Sequence, residues 1–89
     1  DLEILVEGHT DTDKMKSNSH PSDNWELSVL RATSVVKIML DNSKMNPKTI
    51  SASGRSEFIP LDPNNKAKNR RIEVVLIPKL DELFEIINN

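Results

Sequence analysis

The chain has 89 residues, which is enough for one small domain with a single sheet and a few helices. Apolar residues make up 36% of it and cluster in segments, so we expect a folded chain rather than a disordered one. A net charge of −2 argues against a general nucleic-acid-binding protein. The absence of cysteine excludes disulfides, thiol catalysis and cysteine-based zinc sites. With one Trp and two Phe as its aromatic residues, the chain should also offer few stacking platforms for sugars or bases.

The first half of the chain predicts one strand and one long helix. A short β-rich apolar run over residues 2–7 predicts a strand that Gly8 ends. A polar loop over residues 12–23 follows, and a helix should start at Asp23 or Asn24. Asp23 with Glu26 has the spacing of a capping box, and Asn24 is itself a good N-cap. This helix should end near residues 41–43, and its apolar stripe should consist of Val29, Ala32, Val36 and Met39, widened by Leu27, Leu30 and Ile38.

The second half predicts two more strands and short helical segments. Asn46 followed by Pro47 should open a single helical turn before a second strand over 50–54. The next stretch should be mostly loop, with a turn of helix near 64–69, and the strongest strand signal covers 72–77 before Pro78. A final amphipathic helix is indicated by Leu80, Leu83, Phe84 and Ile87. The order strand, helix, strand, strand, helix predicts an α+β fold, an α/β sandwich with helices on one face of a small sheet.

Two charged residues suggest a binding site for a zwitterion. Asp11 follows the first strand, and Arg31 lies about two turns into the helix, off the apolar stripe. A carboxylate could hold the ammonium group of such a ligand, and a guanidinium could hold its carboxylate by a bidentate pair. The alternative is that Asp11 only satisfies turn hydrogen bonds and that Arg31 is a solvated surface residue. For Arg31 this alternative includes a salt bridge to Asp11 or Glu26, and taken alone the two residues favour the alternative.

Other candidate sites are weaker. His9 and His20 could bind a metal with Asp11 or Asp13, but no HxH or HExxH spacing is present. No serine lies in a G-x-S-x-G elbow, and two glycines cannot form a phosphate-binding loop. We therefore predict no catalytic residue, no metal and no cofactor. The basic residues before the last strand suggest a solvated edge or, alternatively, an anion site: Lys66, Lys68, Arg70 and Arg71.

Four sequence blocks resemble a known family when they are taken in order. They are GHTD at 8–11, NWELSVLRA at 24–32, GRSEFIP at 54–60 and NRRIE at 69–73. Together they resemble the OmpA-like peptidoglycan-binding domain, the C-terminal domain of OmpA and MotB proteins. The stretch PSDNWELSVLRA at 21–32 is similar above all to the periplasmic domain of the flagellar stator B subunit.

The resemblance implies a binding module rather than an enzyme. Its ligand would be the stem peptide of peptidoglycan at diaminopimelate, and the module would anchor an envelope protein to the cell wall. In that family the GHTD acid takes the ammonium group and the RA-block arginine takes the carboxylate, which map onto Asp11 and Arg31. Supporting positions map onto Thr10, Asn24, Leu27 and Arg70. The alternative implied is an assembly module of an envelope or motor complex without wall binding.

The resemblance also sets expectations for the parent protein. It implies a periplasmic location within a membrane-anchored protein, for which we expect an outer-membrane parent. The fold should be a small mixed sheet without the family's first strand and helix, so homodimers could form through an exposed sheet edge. We expect the binding domain to cover residues 1–78 and a C-terminal amphipathic helix to cover residues 79–89.

Overall fold

A computed structural model of the chain describes residues 2–78, and the helix expected over 79–89 lies outside the described residues. The elements in chain order are β1 (Leu2–His9), α1 (Asn24–Asp41), a 3-10 turn (Pro47–Thr49), β2 (Ile50–Gly54), α2 (Lys66–Asn69) and β3 (Arg71–Pro78). None of the helices within residues 2–78 is long and apolar enough to cross a membrane.

The three strands form one sheet in the order β2-β1-β3. The central strand β1 runs parallel to β2 and antiparallel to β3, so the predicted small mixed sheet is confirmed. Because β1 and β2 are parallel, their carboxyl ends lie at the same edge of the sheet, and the antiparallel β3 begins at that edge. The segments that follow β1 and β2 and the segment that precedes β3 are therefore brought together.

Helix α1 packs on β1 and β2 through an unusually close approach. A Cβ atom built on Gly8 would lie 2.0 Å from the carbonyl oxygen of Ser28, and one on Gly54 would lie 2.4 Å from the Ser28 Oγ. The helix residues that are buried against the sheet recur every fourth position: Asn24, Ser28 and Ala32. Glycine at both strand positions is thus what allows the helix backbone to lie directly on the sheet.

This packing differs from the predicted apolar stripe of the helix. Ala32 is fully buried as predicted, but Val29 and Leu30 are exposed and Ile38 is 61% exposed. The difference arises because the small side chain of Ser28 lies at the centre of the contact with the two glycines, while Val29 contacts Gly54 only at its side. Hydrophobic periodicity counts large apolar side chains and therefore does not include Ser28.

The ends of the elements follow the predicted signals with two differences. Asp23 caps α1, and its Oδ1 accepts a hydrogen bond from the Glu26 amide at 2.8 Å. The Glu26 carboxylate, however, accepts from the amide and hydroxyl of Ser22 rather than from the Asp23 amide that a capping box requires. Strand β1 continues through Gly8 to His9, since Gly8 pairs with Gly54 on one side and Ile72 on the other.

Strand β3 carries an apolar surface beside the helix. Val74 pairs with Val6, and Leu76 pairs with Ile4, so these side chains share the face of the sheet on which α1 lies. The helix packs chiefly on β1 and β2, and Val74 and Leu76 are both exposed. Within residues 2–78, this part of the sheet face therefore has little cover.

The close approach at Gly8 makes a direct test of the fold. Gly8→Ala should lower the free energy of unfolding by about 3 kcal/mol or more, because the new methyl group would overlap the helix backbone at Ser28 rather than a movable side chain. Urea denaturation at pH 7 measures this change. Ser51→Ala on exposed β2 surface should change it by less than about 0.5 kcal/mol. Equal stabilities for the Gly8 variant and the native chain would contradict the packing described.

Candidate functional site

The edge of the sheet where the strand ends meet contains a small cluster of buried polar residues. Thr10 and Asp11 follow β1, Ser56 follows β2, Arg70 precedes β3, and Asn24 begins α1. The Thr10 amide donates a hydrogen bond to the carbonyl oxygen of Ser56 at 2.9 Å, which ties the segment after β1 to the segment after β2. Thr10, Asp11, Asn24 and Ser56 are all buried. The topology of the sheet, rather than sequence proximity, therefore assembles this cluster.

Asp11 carries the buried charge of the cluster. Asp11 is only 6% exposed to solvent. Its Oδ1 accepts from the Asp13 amide at 2.9 Å, and its Oδ2 accepts from the Arg70 Nη1 at 2.7 Å. Burial by itself would raise the pKa of Asp11, but the Asp13 amide and the Arg70 guanidinium outweigh burial and hold that pKa below its ordinary value. Asp11 is therefore ionised at neutral pH.

Asn24 and Thr10 fix the backbone around this carboxylate. The Asn24 Nδ2 donates to the carbonyl oxygens of Asp11 at 3.2 Å and Asp13 at 3.0 Å. The Thr10 Oγ1 donates to the Asp11 carbonyl oxygen at 3.0 Å. Because Asn24 is also the first residue of α1, the helix start is coupled to the segment that presents Asp11.

Arg70 is presented by a loop that a buried asparagine holds in place. The Asn69 Oδ1 accepts from the amides of Leu61 at 2.9 Å and Asp62 at 3.1 Å, and its Nδ2 donates to the Asp62 carbonyl oxygen at 2.9 Å. We did not assign a role to Asn69 from the sequence. The sequence feature that could have indicated this role is the position of Asn69 in the NRRIE block, directly before Arg70. A short amide side chain at such a position can form hydrogen bonds with the backbone of a neighbouring loop.

The basic cluster before β3 is mostly paired with acids. Lys66 forms an ion pair with Asp13, and Arg71 forms one with Glu73. Arg70 pairs with Asp11 at 2.7 Å. Hydrogen bonding to Asp13 raises the pKa of Lys66. These pairs leave little free positive charge on the segment, which disfavours the alternative of a general anion site.

The structure brings together four of the six predicted ligand-binding residues: Thr10, Asp11, Asn24 and Arg70. Leu27 is half-buried on α1 and Arg31 is exposed there. Among residues 2–78, Arg31 forms no ion pair, and the guanidinium in contact with Asp11 belongs to Arg70. Asp11 is thus paired with Arg70, which was predicted as a supporting position, and the role of Arg31 toward a ligand carboxylate stays a prediction. Arg31 keeps its donors free of acidic partners in this part of the chain.

The histidines contact other acids. His9 is buried, and its Nε2 lies 3.4 Å from the Glu7 Oε1 and 3.5 Å from the Glu73 Oε2, without a hydrogen bond to either ring nitrogen. The His20 Nδ1 lies 3.4 Å from the Glu26 Oε2. Across the part of the chain that the structure describes, no group of three metal-ligating side chains is formed.

The described residues form a small α+β domain, with one long helix on one face of a mixed sheet and a buried carboxylate paired with an exposed guanidinium at the sheet edge. The sequence pattern of the OmpA family matches residues 1–73, and the chain belongs to the OmpA family. The order of the four blocks had already suggested this membership.

Several known proteins are similar to this chain. Motility protein B of Bacillus subtilis (strain 168) is 40% identical over 80 residues, which are 85% of this chain and 30% of that protein. The C-terminal domain of Helicobacter pylori MotB has a TM-score of 0.76 and 28% identity, covering 98% of this chain and 67% of that one. The cell wall anchor of the T6SS from Pseudomonas aeruginosa has a TM-score of 0.74 and 27% identity, covering 88% and 56%. The chain thus spans about a third of the Bacillus relative.

The lowered pKa of Asp11 predicts a specific pH dependence of stability. Asp11 contributes stability above its ordinary pKa of 3.8, and this contribution is lost as the pH falls through the lower value of the folded chain. Asp11→Asn should therefore reduce the free energy of unfolding at pH 7 by about 2 kcal/mol and flatten its decline as the pH falls below 3.8. Urea denaturation at several pH values measures both effects.

A matched control separates this effect from a general loss of negative charge. Asp41→Asn removes an exposed acid at the end of α1 and should change the stability at pH 7 by less than about 0.5 kcal/mol. If the free energy of unfolding of both Asp11→Asn and Asp41→Asn followed the native pH dependence, the Asp11–Arg70 ion pair would make no contribution to stability.

Proposed function

We propose that this chain is a peptidoglycan-binding module that holds an envelope protein to the cell wall. Its ligand is the stem peptide, bound without covalent chemistry at the zwitterionic end of diaminopimelate. The observation that carries the proposal is the buried, ionised Asp11 next to a guanidinium at the meeting point of the strand ends. Membership of the OmpA family and similarity to a cell wall anchor support it.

The binding step follows from the free hydrogen-bonding capacity of the site. Each oxygen of the Asp11 carboxylate accepts one described hydrogen bond, and a carboxylate oxygen has room for a second. A ligand ammonium group can therefore add to Asp11 while Arg70 turns toward the ligand carboxylate. Arg31 is exposed on the adjoining helix and supplies a second guanidinium for that carboxylate.

The remaining site residues have supporting roles in this proposal. Thr10 and Asn24 keep the Asp11 carbonyl and carboxylate in place before the ligand arrives, which reduces the ordering cost of binding. Leu27 lies on the first turn of α1 and contributes apolar surface beside the bound peptide. No bond is made or broken in the ligand, so the role is binding and not catalysis.

The location of the parent protein follows from the same proposal. A wall-binding module works in the periplasm as part of a membrane-attached protein, and a motor-type parent agrees with the similarity to Motility protein B. The named relatives give no support to our expectation of an outer-membrane parent.

Three variants test the site through the affinity for meso-diaminopimelate. Asp11→Asn should weaken binding at least thirtyfold, because it removes the charge that faces the ammonium group and keeps the shape. Arg70→Gln should weaken binding and also reduce stability at pH 7. Arg31→Gln should weaken binding about tenfold and leave the urea midpoint unchanged, since Arg31 has no ion pair within residues 2–78. Isothermal titration of the folded chain measures each constant.

Lys37→Gln is the matched control, because it removes an exposed cation farther along the same helix. It should leave the affinity unchanged. Native affinity in Asp11→Asn would remove the proposed site, and a tenfold loss in Lys37→Gln would mean that only long-range charge attracts the ligand.

A second candidate function is an assembly module without wall binding. It is favoured by the exposed apolar side chains on and beside β3, namely Leu2, Val74 and Leu76. Within the described sheet, β3 pairs only through β1, so its other edge is open to a second copy of the chain. Sedimentation equilibrium together with binding to purified sacculi decides between the two functions. Concentration-dependent dimers with no affinity for sacculi would favour assembly.

A further inference from the structure

Two ion pairs lie side by side between the segment after β1 and helix α2. Asp11 pairs with Arg70, and Asp13 pairs with Lys66. The acids are two positions apart in the sequence, and the bases are four positions apart, which is about one turn of helix. The Arg70 amide donates a hydrogen bond to the Lys66 carbonyl oxygen at 3.2 Å, so one short helical turn presents both bases. The proposed ligand contacts use only the first of these two pairs.

Asp13 is connected to the site through its backbone as well as its side chain. Its amide donates to the Asp11 Oδ1 at 2.9 Å, and its carbonyl oxygen accepts from the Asn24 Nδ2 at 3.0 Å. Its carboxylate accepts a hydrogen bond from the Lys66 Nζ. The ion pair with Lys66 therefore also fixes the backbone amide to which the Asp11 carboxylate is bonded.

The charge of Lys66 acts on the Asp11 carboxylate too. Burial raises the pKa of Asp11, while the Asp13 amide, the Arg70 guanidinium and the Lys66 ammonium group together hold that pKa below its ordinary value. The side chains of Asp13 and Lys66 are 63% and 56% exposed. Because an ion pair this exposed contributes little to the stability of a whole domain, we expect its effect to be local to the site.

We propose that Asp13 and Lys66 are positioning residues that keep the segment after β1 joined to α2 while Arg70 changes partner. The inference rests on the proposed function, in which Arg70 turns from Asp11 toward the ligand carboxylate. That turn breaks the direct link between the two segments. The Asp13–Lys66 pair contains no group that the ligand contacts, so it persists and keeps the Asp13 amide on the Asp11 carboxylate. The carboxylate is then already oriented for the ligand ammonium group, which lowers the ordering cost of binding.

The signs of two affinity changes test this role. Asp13→Asn and Lys66→Gln should each weaken the binding of meso-diaminopimelate by about three- to fivefold, because either change breaks the same link. Charge alone predicts opposite signs, since removing an acid weakens the attraction for the ammonium group and removing a lysine strengthens it. Isothermal titration of the folded chain measures both constants. A loss in the first variant with a gain in the second would overturn the proposal.

Combined variants separate positioning from direct contact of Lys66 with the ligand. The double variant Asp13→Asn with Lys66→Gln should bind as weakly as each single variant, because the link can be broken only once. The exchanged pair, Asp13→Lys with Lys66→Asp, should recover most of the native affinity. Losses that add in the double variant, without recovery in the exchanged pair, would assign Lys66 to ligand contact and overturn the proposal. Lys68→Gln removes an exposed lysine from the same helix and is the matched control, with native affinity expected.

The titration of Asp11 reports on its orientation in the absence of ligand. Asp13→Asn should raise the pKa of Asp11, because the amide that bonds to the carboxylate is no longer held in place. Loss of the neighbouring negative charge by itself would lower that pKa. Carbon-13 NMR of the Asp11 carboxyl group over a pH series measures the direction, and a downward shift would contradict positioning. The urea midpoint at pH 7 should stay at the native value in both single variants, which excludes a general loss of structure.

The outcomes distinguish this inference from the proposed function. Native affinity in both Asp13→Asn and Lys66→Gln, together with lost binding in Asp11→Asn, would overturn the positioning pair and leave stem-peptide binding intact. If the native chain does not bind meso-diaminopimelate, the proposed function and this inference are overturned together.

Discussion

The direct contact between helix α1 and the sheet backbone is the constraint on which the rest of the structure depends. Gly8 and Gly54 lie side by side in neighbouring strands and leave no side chain between the strands and Ser28. The Ser28 Oγ accepts a hydrogen bond from the Ser56 amide at 3.1 Å and donates one to the Trp25 carbonyl oxygen at 3.0 Å. The helix is thus held at the end of the sheet where the polar cluster lies, and its first residue reaches the backbone after β1.

The charged residues Asp11 and Arg70, at the sheet edge where β1 ends and β3 begins, pair with each other in the free chain and are the proposed partners of the ligand. Asp11 is buried, and a buried carboxylate needs a partner, which Arg70 supplies. Arg70 comes from a segment far along the chain because β3 is antiparallel to β1 and starts where β1 ends. In the proposed complex, a zwitterion replaces this one charge pair by two pairs and leaves no charge unpaired. The mixed topology of the sheet is therefore a requirement of the site and not only of the fold.

Local signals in the sequence predicted the elements well, and the contacts between elements were harder to predict. The capping aspartate Asp23, the proline-initiated turn at Pro47 and the β-branched run before Pro78 each act within a few residues, so their effect can be read from the sequence. The partner of Asp11 depends on strand order, which no local pattern specifies. Gly8 also has a role that depends on a tertiary contact. It allows the backbone of α1 to approach β1, and it does not end that strand.

The loop over 12–23 is held at both ends by the same hydrogen bonds that shape the site. Asn24 bonds to the carbonyl oxygens of Asp11 and Asp13, so the two ends of the loop are joined irrespective of the path between them. Residues 16–20 are exposed. Lengthening such a loop costs only about 0.6 kcal/mol for each doubling of its length. The loop is therefore a position where the chain can accept insertions, such as a fluorophore tag or an added epitope, without displacing the charges beside it.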